Sequence, residues 1–245
     1  MTMNQVIIRI SLLLLLAGTA PFVGAAQQPV QQDKQKARVP GPGKEFQQII
    51  ASYSNRATAK KYWKELVSLY SGADRHYHNL EHLNNFYHQL MLCQTQVKDW
   101  ESLVVAMVYH DAIYNSSDRK DEERSAELAI SRLNEIGFPQ EKIHMISTLI
   151  LATKTHAGSS NDDVNYFNDA DMSILGLDRD TYIRYTKNVR LEYAATPNFD
   201  AGRRKVLNYF LSMQQIFKTA FFSSRYEAAA RANIAWEITT LPISE

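Results

Sequence analysis

One cysteine stands in 245 residues, a scarcity that excludes an internal disulfide and any cysteine zinc site. Cys93 therefore reads as a small core hydrophobe. Charge of one sign is equally lacking, with 27 Lys and Arg against 26 Asp and Glu for a formal net charge of +1. Without a basic excess the chain has nothing to neutralise a run of phosphates, which argues against a nucleic-acid duplex as partner. Glycine and proline number only 9 and 7, and beyond Gly43 they never cluster, so no breaker-rich linker divides the rest into domains. Alternation of strand length is missing too, and no internal repeat is present. Apolar side chains, by contrast, make up 45% of the residues, which excludes intrinsic disorder.

The N-terminus has its own character. Arg9 is the only charged residue before Asp33, and it precedes the apolar run Ile10 to Ala17, then Pro21 and the small residues Val23-Gly24-Ala25-Ala26. A basic residue, a short apolar run and a small-residue site form the pattern of a secretory signal peptide. The run falls well short of the roughly 20 residues a bilayer span needs, so cleavage after Ala25 or Ala26 is expected instead of a retained anchor. The expected organisation is a leader at residues 1–26, a flexible linker at 27–44 and one folded domain at 45–245. Such a protein is secreted, in a bacterium to the periplasm, with no stable membrane insertion after leader cleavage.

From Glu45 onward the apolar positions recur every three or four residues, the period of helices packed on a core. Phe46, Ile49, Ile50 and Tyr53 mark one helix, Tyr62 to Tyr70 a second, and Leu83, Phe86, Tyr87 and Leu90 a third. Asp99 is a candidate N-cap for a nearly all-apolar helix from Trp100 to Tyr114, expected at the centre of the core. A helix from about Asp121 to Ile136 should stop at Gly137, and one through Ile143, Ile146 and Ile150 follows. Shorter helices are expected near Phe167–Leu175 and Arg179–Tyr193, then at Gly202–Ala220 and Glu227–Ile238. The predicted fold is an all-α bundle.

Three segments bring nitrogen and oxygen ligands to this scaffold. His78 and His82 are four apart, so on a helix both imidazoles would share one face. His110-Asp111 ends the central helix, where burial is costly unless the pair is satisfied or metal-bound. Asp169 and Asp171 precede the apolar turn Met172 to Leu175. Imidazoles and carboxylates together suit a divalent ion such as Mn, Co, Ni, Fe, Zn or Mg.

The order His82, His110-Asp111, Asp171 resembles the HD superfamily of metal-dependent phosphohydrolases. Residues Tyr77-His78-Asn79…His82, His110-Asp111-Ala112…Tyr114, Glu122 to Ala126, Thr153-Lys154…His156 and Asp169 to Gly176 are similar, in order, to segments of its small bacterial members. The first of these segments also resembles cyclic-nucleotide phosphodiesterases. The resemblance implies an HD-type helical bundle with His82, His110, Asp111 and Asp171 as metal ligands and His78 as general acid. Asp169, which would not share a helix face with Asp171, is then expected to orient a histidine.

The implied activity is hydrolysis of a phosphate ester of a small molecule, a nucleotide for instance, by a metal-activated water. Either Glu122 or Glu123 is a candidate to orient that water. Arg124, Lys154 and His156 are candidates to grip the phosphate. Arg203-Arg204 reads as a solvated helix start, Arg190 with Glu192 as an internal ion pair, and Tyr114, Tyr185 and Tyr193 as residues that could flank a base. The alternative from another class is a sensor module of the same fold that binds metal and nucleotide without turnover.

Overall fold

Pro42 enters a helix at its first turn, where its missing N–H breaks no bond, and Gly41 takes the extended N-cap position before it. This helix, α1 (Pro42–Tyr53), begins three residues before the expected domain start at Glu45, so the linker expected at 27–44 ends sooner. In the computed structural model Pro42 and Gly43 are buried, and a Cβ added at Gly43 would lie 2.2 Å from the Trp63 indole. Only glycine allows that approach. The structure describes residues 41–115 and 120–242; the expected leader at 1–26 and the linker up to residue 40 lie outside the described residues.

Nine further α-helices follow among the described residues: α2 (Arg56–Leu69), α3 (Leu80–Leu92), α4 (Trp100–Tyr109), α5 (Asp121–Glu135), α6 (Gln140–Ala152), α7 (Asp162–Met172), α8 (Arg179–Glu192), α9 (Phe199–Ser212) and α10 (Ala220–Thr240). Short 3-10 turns occupy Gln94–Gln96 and Ser173–Gly176, and among the described residues there is no strand. The fold is all-α, as its period foretold. Among the described residues no helix is long and apolar enough to cross a membrane.

Polar side chains start most of these helices by accepting from the orphaned N–H groups of the first turn. Asn55 accepts from Thr58 N for α2, Asp99 from Ser102 N for α4 and Asp178 from Thr181 N for α8. At the other end of α5, Gly137 takes the left-handed conformation (φ 65°) that stops the helix where the sequence predicts.

The centre is α4, in which every residue from Ser102 to Tyr109 is buried. It packs against α1, α3, α5, α6 and α7. Each large apolar side chain buried there contributes about 1.5–3 kcal/mol. Cys93 is fully buried in this core.

Several expected helix limits move, and the largest shifts lie at the end of α4 and between α9 and α10. Helix α4 stops at Tyr109, not Tyr114, because backbone donors beyond it find side chains of α5: Ile113 N donates to Ser125 Oγ (3.0 Å) and Asn115 N to Asp121 Oδ2 (2.8 Å). The chain expected to be helical to Ala220 leaves α9 after Ser212, and α10 starts at Ala220 instead of Glu227. The segment between them is held by two carboxylates: Glu227 on α10 accepts from Ile216 N and Phe217 N, and Asp169 on α7 accepts from Lys218 N (2.9 Å), Thr219 N (2.7 Å) and Thr219 Oγ1 (2.7 Å).

Candidate metal centre

Asn79 decides where the two histidines of the first segment stand. Its side chain accepts from Glu81 N and His82 N and so caps α3, which places His82 in the first turn and His78 outside the helix. The shared helix face expected for His78 and His82 is thereby replaced by a loop-plus-helix arrangement, with ring centroids 5.8 Å apart. His110 and Asp111 leave the end of α4, and Asp171 sits near the end of α7. Arg75, which sequence reasoning passed over, ties these segments together: Nη1 donates to His78 O (2.9 Å) and Asp111 O (2.7 Å), and Nη2 to Ala112 O (2.8 Å).

His82, His110 and Asp111 are buried, and their donor atoms lie within 4.8 Å of one another, so they can hold a metal ion. His110 Nδ1 lies 2.7 Å from Met107 O, which assigns its N–H to that side and turns the Nε2 lone pair toward the site. The Nε2 atoms of His82 and His110 are 3.1 Å apart, and Asp111 Oδ2 is 3.1 Å from His110 Nε2 and 3.9 Å from His82 Nε2. Adjacent donors around an ion at about 2.1 Å stand about 3.0–3.4 Å apart, so the set has the dimensions of a ligand cage. Asp171 Oδ1 approaches the same imidazole pair, at 3.3 Å from His82 and 3.8 Å from His110.

Electrostatics match the geometry. Burial holds the His82 imidazole below its ordinary value despite Asp171 beside it. Burial pulls His110 down as well, but Asp111, foremost among its neighbours, lifts it to about 9. For Asp171 burial pushes upward, and the surrounding His156, His82 and His110 outweigh it and hold the carboxyl far below the carboxylate range. Two facing imidazole nitrogens with carboxylates beside them demand a cation between them, whether proton or metal.

Glu192 is the second residue sequence reasoning misplaced. Its Oε2 accepts from His78 Nδ1 at 2.6 Å and from Tyr114 Oη at 3.0 Å, while Oε1 accepts from the backbone N–H groups of Tyr77 and His78. The carboxylate fixes the imidazole so that His78 Nε2 points toward the centre, 3.9 Å from Asp111 Oδ2. Arg190, the expected partner of Glu192, pairs instead with Asp200.

A cavity of about 120 Å³ opens on these groups, lined by His78, His82, Asp111 and Asp171 on one side. Its remaining lining is mixed: Met172, Ile174, Leu175, Val189, Val206 and Phe210 are apolar, while Tyr77, Thr153 and Arg203 bring polar groups. Of the two glutamates proposed to orient water, Glu122 is buried and lines this cavity, whereas Glu123 pairs with Lys154 at the surface side. That ion pair engages Lys154, Arg124 is exposed on α5, and neither lines the cavity as a phosphate grip would. His156 does line it, but its Nε2 lies 2.9 Å from Asp171 Oδ2, so it steadies that carboxylate. Asp169 faces away from the histidines, because residues two apart on α7 project to different sides, and it holds the 218–219 turn instead. Arg203 is no solvated helix start: it is buried and paired bidentately with Glu237. Tyr185 and Tyr193 line the cavity, while Tyr114 stacks on His78. No protein-family model, curated protein or solved structure matches this chain.

Proposed function

We propose that this chain is a metal-dependent phosphohydrolase of the HD type that cleaves a phosphate ester of a small molecule. The observation that carries the reading is one cavity in which His82, His110, Asp111 and Asp171 converge beside a His78–Glu192 pair. A metal-binding cluster alone serves structure or sensing; a carboxylate-oriented imidazole aimed at the same space adds a proton donor.

We assign His82, His110 and Asp111 as ligands, with Asp171 as the fourth. A divalent ion held there supplies a water of lowered pKa and stabilises charge on phosphoryl oxygens. Glu122, buried at the cavity wall, is our choice to orient the water. Glu192 keeps the His78 proton on Nδ1 engaged, so that Nε2 carries the proton delivered to the departing oxygen. His156 restrains Asp171 through its other oxygen. The leader reading of residues 1–26 belongs to the same proposal, and N-terminal sequencing of exported protein that began near Gln27 would support it.

The deciding experiment is metal analysis of the purified protein, then a phosphate-release screen over mono- and diesters with Mn²⁺, Co²⁺, Ni²⁺ or Mg²⁺. Asp111→Ala should bind no metal and release no phosphate while its helix content stays near the parent's. Metal bound tightly with no release from any ester would sink the hydrolase and leave the sensor.

A further inference from the structure

We propose that the groove between α1, α2 and α3 binds an anionic amphiphile, a single apolar chain or ring ended by a carboxylate or phosphate. The proposal is independent of the hydrolase reading, because this groove shares no lining residue with the metal cavity.

Charge is the first ground. Lys44 on α1 and Arg56 and Lys60 on α2 line the groove, all three exposed, and no carboxylate lines it. Among the described residues none of these three side chains has a hydrogen-bond or ion-pair partner. Lys98, Arg132, Lys142 and Lys154, by contrast, each pair with a carboxylate. Arg56 and Lys60 stand four apart on one face of α2, where like charges repel and weaken the helix unless an anion lies beside them. Glu65, the only acid of α2, accepts from Arg132 on α5 instead. The start of α1 adds to the field: Gly41 offers no side-chain cap, and the first turn brings the positive end of the helix to the groove.

Apolar surface is the second. Pro42, Ala51, Ala59, Trp63, Leu80 and Leu83 line the same groove, which is open to solvent and holds about 580 Å³. Small-molecule sites are concave and mostly apolar, with a few polar groups that fix one end of the ligand. The exposed amides of Gln48 and Asn84 add N–H donors for an anion's oxygens.

The two grounds together select the occupant. A simple anion would leave the apolar surface in water, and a neutral apolar molecule would leave the cations unmet. A flat anionic membrane would reach the cations without filling the concave surface between them. A molecule with an apolar body and one anionic end meets both. The sequence just before Gly41 does not complement the groove, since Lys34, Lys36 and Arg38 outnumber Asp33 there.

The test is calorimetry on the purified full chain with dodecanoate below its micelle concentration, beside octanoate and dodecyltrimethylammonium. Dodecanoate should bind at a single site, at least about tenfold more tightly than octanoate, which buries less chain, and than the cation of equal chain length. Arg56→Gln combined with Lys60→Gln should weaken dodecanoate about five- to tenfold. Without ligand that double variant should keep the parent's metal content and a level or raised Tm, because a repulsion is removed. No binding of dodecanoate, equal binding of the cationic amphiphile, or parental affinity in the double variant overturns the proposal. A lowered Tm in the unliganded double variant overturns it too, since the two cations would then serve the fold. Sedimentation with vesicles of phosphatidylcholine and phosphatidylglycerol in equal parts, with free dodecanoate left unbound, would replace the ligand site by a membrane-docking surface.

Discussion

Replacing Glu192 by glutamine removes one charge from a buried site while keeping the side chain's shape. Burial alone would push this carboxyl up, but His78 and the backbone N–H groups of His78 and Tyr77 outweigh burial and bring it down to about 2. Relative to the ordinary 4.5, that is worth about 3 kcal/mol in favour of the ionised form. Glutamine keeps one carbonyl for the two backbone donors, yet its NH2 group faces His78 Nδ1 where an acceptor stood at 2.6 Å. A loss of about 1.5–3 kcal/mol is therefore expected, which lowers Tm by about 4–10 °C for a domain of this size. Because the folded carboxyl titrates below its ordinary value, its contribution is complete above about pH 4.5 and fades as pH falls toward 2. The Tm gap between parent and Glu192→Gln should accordingly be widest at neutral pH and close in acid. On activity, the misoriented imidazole should cost about 10²–10⁴-fold in kcat for alkyl phosphates and much less for p-nitrophenyl phosphate, whose leaving oxygen needs little protonation. Metal content should stay at the parent level. Unchanged kcat on alkyl esters, or loss of metal, would refute the assignment of Glu192 as the residue that positions His78.

Three further outcomes follow from the same geometry. His82→Ala should lose metal and all turnover, whereas His78→Ala should keep its metal and fail chiefly on alkyl esters; metal loss in the His78 variant would make it a ligand. His156→Ala should weaken metal binding about 10–100-fold through the loosened Asp171, with KM for the ester unchanged, and a raised KM at parental metal affinity would restore His156 to the phosphate. Gly43→Ala, which drives a methyl into Trp63, should cost about 1–3 kcal/mol by thermal unfolding and shift Trp fluorescence without altering metal content.

The helices around α4 were legible because each buries a stripe, and burial writes its period into the chain; α4 itself showed as an unbroken apolar run. Helix ends were less so, because their causes lie far off: α10 starts where Asp169 draws residues 218 and 219 onto α7, some 50 positions away in sequence. Among site residues, His110 and Asp111 announced themselves by type, since imidazole and carboxylate at the end of a buried helix need a reason, and His82 by its place in the His, His-Asp, Asp order. Glu192 did not, for it lies 114 positions from His78 and resembles any acidic residue on a polar helix. The exit of His78 from the helix could have been read, because Asn79 just before Leu80 is an N-cap signal that outranks an i, i+4 pairing. Arg124 and Lys154 were chosen for their charge, and charge alone says nothing of which way a side chain faces.

Arg75 has a consequence for how the protein is made. Its guanidinium clasps the carbonyls of His78, Asp111 and Ala112 between the rings of Tyr70 and Tyr114, so the ligand-bearing segments are held together by the chain itself. Small zinc domains need their ion in order to fold, whereas on the proposed reading folding and loading would be separate events here. The finished site would then take whichever divalent ion it met first at sufficient concentration, ranked by intrinsic affinity with copper and zinc ahead of manganese. A metal found after purification would therefore record where and in what medium the chain folded, and the ion best suited to the proposed turnover would have to be sought by stripping the site and refilling it.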